Sequence, residues 1–201
     1  MALTAGWPSL DSVGVSIYLI RHGATAWTES RRHTGITDAA LTTEGERQAR
    51  ALAGRLTGLE FARVVSSPLQ RARRTAELAG FGGRIEIAPQ LREYDYGEYE
   101  GLTTAEIETL QPGWELWRDG CPGGETPQQA LDRAARLLAG LDLPSDGDSV
   151  LFGHGHILRA ITAAYLGVPV TCCRHLVLAV ASISVLGEEH GVPAIVSWDL
   201  T

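Results

Sequence analysis

The residues that most restrict this chain's fold are Val15-Ser-Ile-Tyr-Leu-Ile20, a short β-branched run that stops at Arg21-His22-Gly23. A continuous apolar run of this length marks a strand buried on both faces, and such strands belong to parallel sheets covered by helices. The matching alternation follows along the chain. Thr43-x-x-Glu46 reads as a capping box ahead of Ala49, Leu52, Ala53 and Leu56 at helical spacing. Residues 61–66 read as a second strand, and Pro68 at a helix N1 position opens a helix over 69–79. A third strand is expected over 84–88, a helix over 103–110, and another helix behind Thr126-Pro127-Gln128-Gln129. Residues 149–152 read as a strand, 156–166 as a helix, and 182–186 with 194–198 as a terminal strand pair. Strands alternating with helices predict an α/β fold, a three-layer α/β/α sandwich with a mostly parallel central sheet.

The 201 residues suit one domain spanning 1–201. Residues 1–14 read as a loose arm. Between about 90 and 125 the texture turns to Tyr, Trp, Gly and acids, which predicts a small cap segment. All 17 cationic side chains in the Lys+Arg count are arginines, which removes the phosphate-loop lysine, Schiff-base chemistry and a lysine general base. With a net charge of −7, neither nucleic acid nor an anionic membrane is an expected partner. Cys121, Cys172 and Cys173 offer neither a CxxC pair nor a disulfide framework. The first residues lack a basic and then apolar leader, and Leu176 to Leu186 is too short to span a bilayer, so a reducing cytoplasm is expected.

In parallel sheets, ligands lie beyond the carboxyl ends of the strands. Three predicted strand ends carry arginine or histidine there: Arg21-His22-Gly23, Ser66-Ser67-Pro68 with Arg71, and Gly153-His154-Gly155. A glycine beside each histidine lets the backbone approach a bound group. Two arginines and two histidines converging in an acidic protein call for an anion, and a phosphoryl group fits arginine's paired donors. Other readings are weaker. His154-Gly155-His156 has no third ligand at zinc-like spacing, and Gly153-x-Gly155 is followed by Leu158 where a dinucleotide loop needs a third glycine. The cluster of Tyr94, Tyr96, Tyr99, Trp114 and Trp117 reads first as packing.

Arg21-His22-Gly23-Ala24-Thr25-Ala26-Trp27 resembles the RHG signature of the histidine phosphatase superfamily, the phosphoglycerate mutase-like proteins. Ser67-Pro-Leu-Gln-Arg71-Ala-Arg-Arg-Thr75-Ala76, Leu91-Arg-Glu93-Tyr-Asp-Tyr-Gly97 with Glu100-Gly101, and Phe152-Gly-His154-Gly155 resemble its remaining motifs, in family order. The resemblance implies that His22 is the nucleophile and forms a phosphohistidine. It implies that Arg21, Arg71 and a protonated His154 cradle the phosphoryl oxygens, and that Glu93 moves the proton. Neither metal nor cofactor is implied, because the arginines carry the electrostatic work. The expected partner is a small-molecule phosphate ester, and a homodimer is compatible with this reading.

Mutases of the family carry a longer insertion after the acid, with lysine and arginine for a carboxylate, and usually asparagine at the position of Thr28. This chain has no lysine and a short 93–154 segment, so the resemblance favours a phosphatase. Residues 92–101, 117–126, 181–187 and 189–191 resemble bacterial acid phosphatases and the sedoheptulose-bisphosphatase-like branch most closely. That implies a sugar mono- or bisphosphate, with Thr28, Thr34, Gly35, Tyr96, Gly155 and Arg159 around it. The alternatives are a phosphoglycerate mutase and a non-catalytic phosphate-binding module.

Overall fold

The computed structural model describes residues 15–141 and 147–201; the arm expected over 1–14 lies outside them. Six strands form one sheet: β1 (Ile17–Arg21), β2 (Phe61–Ser66), β3 (Ile85–Ile87), β4 (Asp148–Gly153), β5 (Ile183–Glu189) and β6 (Val192–Leu200). Their order is β3-β2-β4-β1-β5-β6. The first four strands in that order run parallel, while β5 is antiparallel to β1 and β6 to β5. The α-helices are α1 (Ala26–Glu29), α2 (Thr43–Arg55), α3 (Gln70–Ala76), α4 (Thr104–Leu110), α5 (Leu116–Asp119), α6 (Pro127–Gly140) and α7 (Gly155–Leu166).

β1 shows why this sequence makes layers. Ile17 and Leu19 join a core with α6 and α7, while Tyr18 and Ile20 join a second core with α2 and the end of the α3 region. Strand side chains alternate between faces, so a run that is apolar at every position must be covered on both. The sandwich expected from the sequence is the fold observed. Parallel pairing also aligns the strand ends: Arg21 faces Gly153, and Ser66 faces Phe152.

Local expectations shift at several element ends. The cap of α2 is Thr42 rather than Thr43, its side chain accepting from the Gly45 amide, while Glu46 turns outward to Arg50 and Arg74. Pro68 stands ahead of its helix, because Leu69 is the N-cap; the Leu69 amide is held by Ser67 Oγ and the Gln70 amide by Asp38. Gly80, with φ of 99°, breaks the helical φ/ψ before residue 82. Thr103 with Glu106 and Thr126 with Gln129 form the capping boxes that start α4 and α6, and Pro127 occupies the first turn of α6.

Candidate active site

β1 delivers His22 to the rim of a cavity of about 290 Å³, and the His22 amide donates to the Gly153 carbonyl of β4 at 3.0 Å. His22 Nδ1 lies 2.7 Å from the Gly23 carbonyl oxygen. A carbonyl can only accept, so Nδ1 carries the hydrogen and Nε2 keeps its lone pair. Burial, and then the charges of Arg71 and Arg21, hold the imidazole well below its ordinary pKa. His22 is therefore a neutral, oriented base. Gly23 is required here, since a Cβ would lie 2.4 Å from the Gly45 carbonyl oxygen.

Arg71, on the first turn of α3, is completely buried. Its Nε donates to His154 Nδ1 at 3.1 Å, Nη1 to the Thr37 carbonyl, and Nη2 to the carbonyls of Thr34 and Gly35. His154 Nδ1 is thus an acceptor, and Nε2–H donates to Ser67 Oγ at 2.8 Å. Burial, Arg71 and His22 all lower the His154 pKa well below its usual value. Burial and the Arg71 charge thus favour a neutral His154, where the family resemblance implies a protonated one. Its ring centroid lies 5.1 Å from that of His22.

Arg21 and Arg159 form a different kind of pair. Arg21 donates through Nη1 to the Leu178 carbonyl, yet its buried Nε has no hydrogen-bond partner among the described residues. Arg159 on α7 likewise has a buried, unpartnered Nε. Burial lowers both pKa values, and the charge of Arg159 lowers that of Arg21 further. Gly155 lies against this arrangement: a Cβ there would stand 3.4 Å from Arg21 Cζ and 3.7 Å from Glu93 Oε2, both ordinary contact distances. Arg21 lines the cavity, whereas Arg159 and Gly155 stand behind its wall.

Glu93, 7% exposed, meets the start of α7. Its carboxylate accepts from the amides of Tyr94, His156 and Ile157 at 2.8–3.1 Å, a negative group against a helix N-terminus. Burial opposes ionisation, but hydrogen bonds from His156, side chain and backbone, outweigh it and hold the carboxyl well below its usual range. Beside it, Tyr96 Oη lies 2.6 Å from His156 Nδ1. Tyr96, His156 and His33 line the cavity, so Tyr96 is more than packing. His33 sits 4.8 Å from Tyr96 and 6.0 Å from His156, ring centre to ring centre, and burial followed by His156 lowers its pKa to about 4.

The remaining expectations divide. Thr34 lines the cavity, with its hydroxyl donating to the Arg32 carbonyl. Thr28 also lines it, but its hydroxyl accepts from the Thr25 amide and donates to the Thr25 carbonyl, completing the cap of α1. Its single hydrogen is already committed. Gly35 is not in the wall: its amide donates to Glu100 and its carbonyl accepts from Arg71. There a Cβ would come within 2.4 Å of the Tyr94 carbonyl oxygen, so Gly35 supports the site through packing. Sequence reading missed Arg31, Arg32, His33 and His156 as cavity residues. Residues 31–33 lie in irregular chain after α1, where no periodicity marks an inward side chain. The second histidine of His154-Gly155-His156 was visible only as a metal candidate.

Among the described residues, no group of three or more His, Cys, Asp or Glu is placed to hold a metal ion, and no helix is long and apolar enough to cross a membrane. Burial pushes the thiols of Cys121 and Cys173 up to about 12, which leaves both unreactive.

A family model described as histidine phosphatase superfamily (branch 1) matches residues 17–201. An acid phosphatase of Mycobacterium tuberculosis is 41% identical over 189 residues, covering 92% of each chain. A probable phosphoglycerate mutase of Cronobacter sakazakii is 36% identical over 182 residues, covering 85% of this chain and 83% of its own. Among solved structures, a Mycobacterium tuberculosis open reading frame product superposes with a TM-score of 0.87 at 39% identity, over 93% of this chain and 98% of that one. A mycobacterial glucosyl-3-phosphoglycerate phosphatase does so with a TM-score of 0.82 at 30% identity, over 94% of this chain and 100% of that one.

Proposed function

The chain belongs to the histidine phosphatase superfamily and is a phosphatase, and from that premise we propose a metal-independent phosphomonoesterase that works through a phosphohistidine on His22. The observation that carries this reading is the His22 Nδ1–H bond to the Gly23 carbonyl, which aims a neutral Nε2 at the cavity. Nε2 attacks phosphorus in line, the P–O ester bond breaks, and the leaving alkoxide takes a proton from Glu93. Glu93, again a carboxylate, then removes a proton from water as that water displaces His22. The products are an alcohol and inorganic phosphate.

Positive charge comes from Arg21 in the cavity wall and from Arg71, which is held beside the two histidines by its bonds to His154 and to the Thr34, Gly35 and Thr37 carbonyls. The unpartnered Nε of Arg21 gives it a vacant donor direction. A bound dianion also reverses the electrostatics at His154 and Glu93. It favours a proton on each: Glu93 becomes the acid that the first step needs, and His154 becomes a cation once Arg71 Nε releases its Nδ1, since both would otherwise be donors. A substrate monoanion brings that proton with it. We read residues 1–201 as one domain, with about 90–125 as its cap.

For the substrate we propose a sugar mono- or bisphosphate. Arg31, Arg32, His33, Tyr96 and His156 give the cavity many groups for hydroxyls and a further anion. The similar mycobacterial glucosyl-3-phosphoglycerate phosphatase is, by its name, active on a sugar-bearing phosphate ester. The similarity to a probable phosphoglycerate mutase keeps one competing reading. Phosphate release should be measured across sugar phosphates and phosphoglycerates, with and without EDTA. We expect release from sugar phosphates to exceed isomerisation of 3-phosphoglycerate and to survive chelation. Efficient isomerisation with little free phosphate would restore the mutase, and a strict metal requirement would move the chemistry to a metal-activated water.

A further inference from the structure

α6 carries an arginine whose side chain is 11% exposed and is not in the wall of the 290 Å³ cavity; with Glu93, Asp95 and Glu125 it lines a smaller one of about 90 Å³. Arg133 Nε and Nη2 make a bidentate pair with the Glu125 carboxylate at 2.7 and 2.6 Å. Its other bonds go to main-chain carbonyls of one short segment: Nη1 to Gln90 and Arg92, both at 2.6 Å, and Nη2 to Glu93 at 3.3 Å. All five guanidinium hydrogens are accounted for. Glu125 extends the hold, since Oε2 accepts from the Asp95 amide, its own amide donates to the Asp95 carbonyl, and its carbonyl accepts from Tyr94 Oη.

The segment so gripped, residues 90–95, has a 3-10 turn at Pro89–Leu91 and then no regular hydrogen-bonded structure of its own. Three main-chain carbonyls of this segment therefore depend on a single side chain from another element. Without that side chain the buried Glu93 carbonyl would be unsatisfied and the partly buried Gln90 and Arg92 carbonyls would turn to water, so the loop would move. The carboxylate it carries would then leave the His156 and Ile157 amides of α7 that fix its direction.

We propose that Arg133, with Glu125, is the positioning residue for Glu93: it sets the place from which the carboxylate exchanges its proton, without touching substrate. The inference rests on the reading of Glu93 as the acid and base. Positioning of a proton donor has a signature that loss of folding lacks. A poor leaving group, such as a sugar alkoxide, needs the proton, whereas p-nitrophenolate departs nearly unaided. The ratio of kcat for an alkyl phosphate to kcat for p-nitrophenyl phosphate is independent of how much of the sample is folded.

The ratio should be measured for Arg133→Met, Arg133→Lys, Glu125→Gln and Glu93→Gln, with the melting temperature of each recorded. For Arg133→Met we expect the ratio to fall by about tenfold to a hundredfold, with KM for both esters moving little. Lysine keeps the charge but cannot bridge Glu125 and three carbonyls, so Arg133→Lys should fall in the same direction and by less. If Arg133→Met fails to fold, Arg133→Lys decides. A ratio unchanged in the folded Arg133 variants, while Glu93→Gln lowers it, would overturn the positioning role. A ratio unchanged in Glu93→Gln itself would instead remove the underlying reading of Glu93.

Discussion

The two halves of the site are held in different ways. His22, His154 and the Arg71 backbone stand within a few residues of β1, β4 and β2, where the parallel ladder already fixes position: the amides of His22 and Ser67 simply continue it to Gly153 and Phe152. Glu93, Tyr96 and His33 come from irregular chain, and side chains supply the order there. Arg133 holds the Glu93 loop, while Glu100 accepts from the amides of Gly35 and Thr37. In the proposed reaction the sheet half supplies the cationic and imidazole groups of the attacking end, and the loop half the carboxylate of the leaving end. A rigid frame suits the nucleophile, whose alignment governs both chemical steps. Loops can vary with the leaving group while the frame stays.

The comparison is broken most severely at its sheet side. His22→Ala removes the only atom that can form the covalent intermediate in this reading. Turnover on every ester should fall by about a thousandfold or more, and acid-quenched samples should lose any labelled phosphoenzyme. Aryl and alkyl phosphates should suffer alike, because both need the nucleophile. A variant that keeps substantial turnover would place the attack on water instead.

On the loop side the damage should depend on the ester. Glu93→Gln should cost about 10²–10⁴ in kcat on an alkyl phosphate and far less on p-nitrophenyl phosphate. The pH dependence has a definite sign. Glu93 is held well below the ordinary carboxylate range, so its acid form grows scarcer as pH rises. His22, also lowered, stays neutral well into acid. Activity on alkyl phosphates should therefore rise as pH falls from 8 towards 5, while Glu93→Gln should flatten that rise. Alkyl-ester activity that instead climbs with pH would assign Glu93 to another task.

This division also explains what could be read from the sequence. The buried run ending at Ile20 announced a sheet, and three strand ends with histidine or arginine announced where a ligand would sit. Glu93 was different: Asp95, Glu98 and Glu100 lie within seven residues of it, and only the family resemblance singled it out. Its environment depends on Arg133, forty residues away, and on amides of α7, sixty-three and sixty-four residues away. Such contacts leave no local pattern. What Thr28 and Gly35 do locally was hidden for a related reason, since the motif fixes where they stand but not which of their groups is already bonded.

Thr28 tests the boundary between the halves, and there the smallest effect is expected. It follows the nucleophile by six residues, on α1, and faces the cavity. Its hydroxyl nevertheless closes the capping box with Thr25, bonding both the amide and the carbonyl of that residue at 2.8 and 2.9 Å. Thr28→Val keeps the shape and removes only the oxygen. Loss of a cap costs about 1 kcal/mol, which for a chain of this length is a drop of roughly 2–4 °C in melting temperature. If the hydroxyl serves the cap alone, KM for a phosphate ester should change by less than about threefold, below the 1.4 kcal/mol that a factor of ten represents. A tenfold rise in KM with an unchanged melting temperature would show the opposite: that substrate draws the hydroxyl away from Thr25, and that α1 is part of the phosphate site rather than its support.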